Sequence, residues 1–279
     1  FGRSALEQNS SGAYNTAVGH SALKANTTAS NNTAVGYQAL YTNTTGTSVD
    51  AFGYQTAYSN TSGSSLAAFG TYALFSNTTG VKNTAIGSGL AGSVFGALHN
   101  NTTGSYNVAV GTEALRGNTT ASNNTAVGFQ AAYTSTTGDQ ITAIGGSALK
   151  LNTGSGNTAV GESALTANTS AASNTAVGQG SATSNTTGAE LAALGRGSLF
   201  SNTTGSYNTA IGRSALFSNT TASYNTAVGY QAGYTNSTGT AHALLGAFAG
   251  YSNTTGTDLT AVGYAALYYN TTGAANNAF

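Results

Sequence analysis

The sequence predicts an all-β fold, a parallel β-solenoid (β-roll or β-helix) with one coil of about 17 residues per repeat and 16 coils. Three observations predict it. First, a glycine follows an Ala-aliphatic pair with a spacing of 17, broken only by 24 after Gly87 and 16 after Gly145. Second, 17 residues are too few for a helical repeat, which needs about 33, but enough for two short extended segments and their corners. Third, the chain has 38 glycines and no proline. Glycine supplies the positive-φ corners, and a proline would remove a donor from the ladder between coils.

The consensus unit reads G-x-[SQ]-A-L-[YF]-[ST]-N-T-T-G-S-x-N-T-A-V. N-T-A-V is expected to be a strand, as in Asn32–Val35, and so is A-L-Y-[ST], as in Ala39–Thr42, because both are rich in β-branched or aromatic residues. Side chains alternate faces along a strand. The residue before each next glycine is apolar in all 16 units, and the one before that is Ala in 15, with Leu244 the exception. Two apolar columns on opposite faces suggest burial on both sides. Val35 and Leu40 are assigned to the coil's own core. Ala17, Ala34, Ala51 and the aliphatic residues Val49, Leu66, Ile141, Leu191 and Leu259 are assigned to packing between chains. Gly36 and Gly46 are assigned to corners. A three-coil pattern overlies this one: Ala121, Ala171 and Ala222 replace a turn glycine, and Ile141, Leu191 and His242 follow a coil later. Duplication of 51-residue blocks explains it, as would a periodic contact with a partner rod.

Residues 1–279 are read as a single solenoid rod, a segment of a longer repeat protein, since the repeat runs to both ends. Residues 88–98 (SGLAGSVFGAL) form an irregular insertion within one coil, small and apolar at Leu90, Ala91, Val94 and Phe95. It is either a docking point or a tolerated corner insertion.

Composition excludes several function classes. Only 7 basic and 7 acidic residues occur, with net charge zero. Nucleic acid and anionic membranes call for basic patches, so neither is expected as a partner, and no apolar run is long enough to span a bilayer. Cys is absent, so neither disulfides nor thiolate metal sites can form. His20, His99 and His242 fall at different phases, and Glu7, Glu113 and Glu162 lie in different coils. No zinc-protease, nucleophile-elbow or phosphate-loop motif occurs. Asp occurs only at Asp50, Asp139 and Asp258, against a calcium solenoid. No enzyme activity, metal or cofactor is expected.

The N-T-T asparagines form 14 in-phase N-x-[ST] sequons: Asn9, Asn26, Asn43, Asn60, Asn77, Asn101, Asn118, Asn168, Asn185, Asn202, Asn219, Asn236, Asn253 and Asn270. Asn31, Asn100 and Asn123 add out-of-phase ones. They are candidate N-glycosylation sites. Turn chemistry and stacked Asn ladders explain the same residues without a glycan. Aromatic residues follow the Leu at Tyr41, Tyr58, Phe75, Tyr133, Phe200, Phe217, Tyr234, Tyr251 and Tyr268, a column for coil-to-coil stacking or for sugars.

The pattern N-T-A-[VI]-G-x-x-A-L, as at Asn32, Thr33, Ala34, Val35 and Gly36, resembles the head repeat of trimeric autotransporter adhesins. The fuller unit is similar to repeats of phage and large-virus tail-fibre and surface proteins. The resemblance covers all 16 units, although each is about three residues longer than the adhesin unit. It implies a left-handed parallel β-roll with three chains side by side. Together these readings give a structural extracellular fibre or filament protein, on a cell or virion surface, whose partners are copies of itself. Two alternatives stand beside it. One is an adhesin module binding a receptor or surface glycans. The other is an ice-binding solenoid using [ST]-N-T ranks such as Thr42-Asn43-Thr44.

Overall fold

The computed structural model describes residues 1–90 and 94–279; Ala91, part of the expected insertion, lies outside them. It is a parallel β-solenoid, and no helix occurs among the described residues. Contacts divide the chain into two units, Phe1–Ile141 and Thr142–Phe279. The first holds β1 (Thr16–Val18), β2 (Thr33–Val35), β3 (Val49–Phe52), β4 (Leu66–Phe69), β5 (Thr84–Ile86), β6 (Val108–Val110) and β7 (Thr125–Val127). The second holds β8 (Thr142–Ile144), β9 (Thr158–Val160), β10 (Thr175–Val177), β11 (Ala192–Leu194), β12 (Thr209–Ile211), β13 (Thr226–Val228), β14 (Ala243–Leu245), β15 (Thr260–Val262) and β16 (Asn277–Ala278). Within each unit every strand pairs in parallel with the next, in the register of the repeat: Ala17 opposite Ala34, Ala176 opposite Ala193. The insertion does not disturb the register, since Ala85 still pairs with Ala109.

Each coil has one strand, not two. The expected second strand, Ala39–Thr42 in the coil of β2, is a run of turns. The reason is geometric: Ala39 and Leu40 are consecutive and both fully buried, which an extended strand forbids. The backbone turns both inward by placing Gln38 and Leu40 in the left-handed region, at φ 53° and 54°. A leucine there costs about 1–2 kcal/mol, while burying its side chain returns about 2–3 kcal/mol, so burial wins. The arm still stacks: Leu40 N–H donates to the Thr56 carbonyl at 2.9 Å, and Gln38 N–H to the His20 carbonyl of the preceding coil. The strand ends at Gly36, with φ +139°, and a Cβ there would stand 2.2 Å from the Gly53 carbonyl oxygen. Conformation and stacking distance both require glycine at this corner.

The assignment of the two strand faces is corrected. The Ala column faces the core: Ala17, Ala34 and Ala51 are buried within their own coils. So are Val49, Leu66, Ile141, Leu191 and Leu259, so none of these residues is available for packing between chains. Burial of Ala121, Ala171, Ala222 and Ile141 likewise removes the periodic partner contact and leaves block duplication. Val35 lies on the outer face, half-buried.

A 17-residue coil is narrow. The Leu of the turn arm fills its centre, and only a methyl fits on the strand opposite. Leu244 shows the rule by breaking it. Where this Leu replaces the strand Ala, the turn arms carry Gly233 and Gly250 in place of Leu. Cβ atoms there would stand 2.9 and 2.8 Å from the Leu244 methyls. A larger side chain on the strand is accommodated by loss of the leucines that face it from the turn arms.

Candidate functional surfaces

Four side-chain columns and one groove carry the chemistry of the coils. The first column is the outer face of the sheet. In most coils Thr and an aliphatic residue flank the inward Ala, so β1, β10 and β12 present Thr16 and Val18, Thr175 and Val177, Thr209 and Ile211. Ile86 in the first unit and Leu245 in the second are 42% and 43% exposed. Phe52 and Phe69 stack on this face at 5.0 Å. Only Asp50 introduces a charge. No segment among the described residues covers this face, which is the apolar side that the sequence reading had placed inside.

The second and third are the asparagine columns. Each N-T-T asparagine donates its Nδ2 both to the Oδ1 of the preceding coil and to the carbonyl three residues on. Asn60 reaches Asn43 at 2.8 Å and Gly63 at 2.9 Å; Asn202 reaches Asn185 and Gly205 at 2.8 and 2.9 Å. Asn26, Asn43, Asn60, Asn77, Asn101, Asn118, Asn168, Asn185, Asn202, Asn219, Asn236 and Asn253 are wholly buried. As glycan acceptors these twelve are therefore corrected: a glycan on Nδ2 would displace the ladder from the core. Asn9 and Asn270 are half-buried and also bonded, each to its own turn at 2.9 Å. The sequons left exposed are the out-of-phase Asn31 and Asn123. The asparagine of N-T-A-V forms the second ladder: Asn107 Oδ1 accepts from Asn124 N–H at 3.0 Å, and its Nδ2 donates to the Ala121 carbonyl.

His242 occupies this third column. Its Nδ1 accepts from Leu259 N–H at 3.4 Å, and its Nε2 lies 3.2 Å from Asn236 Oδ1 and 3.1 Å from Asn253 Nδ2. Burial lowers its pKa to about 4, against an opposing pull from Asp258. His99 is lowered too, by burial first, while its contact with the Tyr72 carbonyl opposes. The ladder fails at Ser135, which replaces Asn: Asn118 Oδ1, Asn124 Nδ2 and Ser135 Oγ are buried without partners.

The fourth column is aromatic. Tyr41, Tyr58, Phe75 and His99 stack face to face in the first unit, at 5.1–5.2 Å. Phe200, Phe217, Tyr234, Tyr251 and Tyr268 do so in the second, at 4.9–5.3 Å. These faces are spent on one another, as coil-to-coil stacking requires. The insertion packs against the first stack. Leu90 and Val94 bridge antiparallel, and Phe95 meets the His99 ring at 4.5 Å with the Arg116 guanidinium 4.0 Å from its ring centre. Phe95 is thus anchored, while Leu90 stays 65% exposed.

A groove of about 530 Å³ lies in the second unit between Arg196 and Arg213 on one wall and Phe200 and Phe217 on the other. Sequence reading missed it, although a signal was present: two arginines at one phase of successive coils. Among the described residues no group of three His, Asp or Glu side chains is placed to hold a metal ion. No family model matches the chain, and neither the curated proteins nor the solved structures contain a match.

Proposed function

We propose that the chain is a structural segment of an extracellular fibre or filament, at a cell or virion surface. Copies of the solenoid pack side by side and end to end, and no catalysis is involved. The observation that carries this reading is the outer sheet face. In each unit an in-register column of aliphatic side chains stands exposed, flanked by Thr and almost free of charge. A repeated neutral face is self-complementary, so a second copy of the chain is the partner it fits best. The composition supports the same reading: 5% charged residues leave little surface for substrate chemistry.

The test is association in solution. The chain is expected to self-associate at micromolar concentration in sedimentation velocity. The triple substitution Ile144→Lys, Val177→Lys, Ile211→Lys is expected to weaken that association at least tenfold with unchanged far-ultraviolet circular dichroism. These positions alternate between coils, so the added charges do not adjoin. A parent chain that stays monomeric to about 100 μM overturns the reading, since a lateral fibre contact must be at least that strong.

A further inference from the structure

We infer that the groove walled by Arg196 and Arg213 is a binding site for an anionic saccharide, with the ligand's carboxylate or sulfate held between the two guanidinium groups. This goes beyond the filament reading and rests on other phases of the coil. Arg196 and Arg213 each follow a corner glycine, Gly195 and Gly212, in adjacent coils whose strands pair in register. Stacked coils bring equal phases to about 4.8 Å along the backbone, so the two arginines are neighbours in one column, with the Arg213 guanidinium 5.8 Å from the Tyr230 ring of the following coil. The chain has 7 basic residues in 279 and could have kept them apart.

Elsewhere some charges find a partner in the adjacent coil, although Arg3, at the same phase as the groove arginines, does not. Lys24 pairs with Glu7 at 3.3 Å, and Glu113 accepts from Gln130 at 2.8 Å. On the same wall of the groove Glu162 is taken by Gln179 at 3.2 Å. Neither groove arginine forms a salt bridge with a carboxylate among the described residues. Two exposed guanidiniums without a salt-bridge partner form a fork for one oxyanion, and the one carboxylate in the groove, Glu162, lies two coils from Arg196 and is bonded to Gln179.

The floor is the second observation. At the position after Arg196 and the equivalent Gln179, the coils carry Gly197 and Gly180, both with φ near +65°. The backbone does not demand glycine there. Ser163 and Ser214 hold the same phase at φ 58°, and Gln231 at 54°. Nor does the wall, since a Cβ at Gly180 or Gly197 would meet the Phe200 or Phe217 ring at ordinary contact distance, 3.5–3.6 Å. What the two glycines achieve is the removal of two adjacent side chains, which opens the floor.

The lining selects the ligand. Ser163, Ser214, Thr183 and Gln179 offer hydroxyl and amide partners, as a sugar's hydroxyls require. The apolar wall suits the C–H face of a pyranose. Phe200 and Phe217 stack on each other at 4° and 5.0 Å, and the column ends at Phe200, where Thr183 replaces a ring. The stacked pair leaves no slot for a planar base. The volume, about 530 Å³, falls within the range of small-molecule sites.

The experiment is calorimetric titration of the full chain, at low salt, with four probes: sialyllactose, a hyaluronan tetrasaccharide, a heparin tetrasaccharide and neutral lactose, with inorganic sulfate as a fifth. One or more of the anionic sugars is expected to bind at least tenfold tighter than lactose and than sulfate. Whether a carboxylated or a sulfated probe wins identifies the anion. Arg196→Gln with Arg213→Gln is expected to lower that affinity at least tenfold at unchanged melting temperature. Gly197→Ser, which refills the floor with a residue that the phase accepts, is expected to lower it as well. Absence of binding by all three anionic sugars at millimolar concentration overturns the inference. So does sulfate binding as tightly as the best sugar, or a double variant that binds like the parent.

Discussion

At the scale of the residue, His242 shows how a ladder position becomes pH-sensitive. The preceding coil uses an asparagine carboxamide, Asn225, which keeps its bond to His242 N–H at any ordinary pH. His242 must remain neutral to accept from Leu259 N–H. Its folded pKa, about 4, lies below the ordinary value of 6.5. The unfolded chain therefore binds the proton more readily, and stability rises with pH. The contribution is complete above about pH 6.5 and is lost as pH falls through the window down to 4. His99 acts with the same sign. Thermal unfolding at pH 7 and pH 4.5 should differ, the His242 share being about 2 kcal/mol after allowance for partial solvation. His242→Asn should shrink the difference. A substituted chain with the parent's acid sensitivity would exclude His242 as its source.

At the scale of the element, the asparagine ladder acts as a unit and its single gap is costly. An unpaired buried polar atom costs about 1–3 kcal/mol. Around Ser135 three such atoms occur together, Asn118 Oδ1, Asn124 Nδ2 and Ser135 Oγ. Ser135→Asn places a carboxamide where every other coil has one. Its Nδ2 should donate to Asn118 Oδ1, in the pattern of Asn118 to Asn101 at 2.7 Å. We expect a gain of about 1 kcal/mol and a melting temperature higher by a few degrees. An unchanged or lowered melting temperature would show that the local backbone has already adapted to serine. The same ladder explains why a sequon can be abundant without being a glycan site: Asn-Thr-Thr is selected by the turn, and the carboxamide that a glycan needs is inside.

At the scale of the whole molecule, each coil buries its core against its neighbours in the chain, so stability accrues by stacking. Removing a full period should preserve every column, whereas removing part of one should not. Deleting residues 200–216, one 17-residue period within the second unit, should leave a folded chain with a slightly lower melting temperature. Deleting nine residues from 200 onward would set Leu against Asn in the columns and should abolish cooperative unfolding of that unit. Circular dichroism melts of both deletions are the check. Equal losses from the two would mean that register matters less than length. The filament reading belongs to this scale as well, because an exposed aliphatic column on a stacked sheet is a surface that no single coil could offer.

The sequence by itself determined the solenoid, its period, the parallel register and the corner glycines. Those follow from a spacing that only stacked coils can satisfy. It also specified the aromatic column, since rings at one phase of successive coils must meet. Only the tertiary structure decided which strand face is inside. Alternation separates Ala34 from Val35 but is symmetric between the faces, and the usual preference for burying the larger residue pointed the wrong way. The narrow bore, already filled by Leu40 from the turn arm, admits the smaller side chain and turns Val35 outward. Leu244 with Gly233 and Gly250 held that information in the sequence, since a large residue on the strand coincides with the loss of the leucines facing it. It became readable only once the turn arm was seen to bring consecutive residues inward through left-handed backbone, which an alternating pattern cannot express.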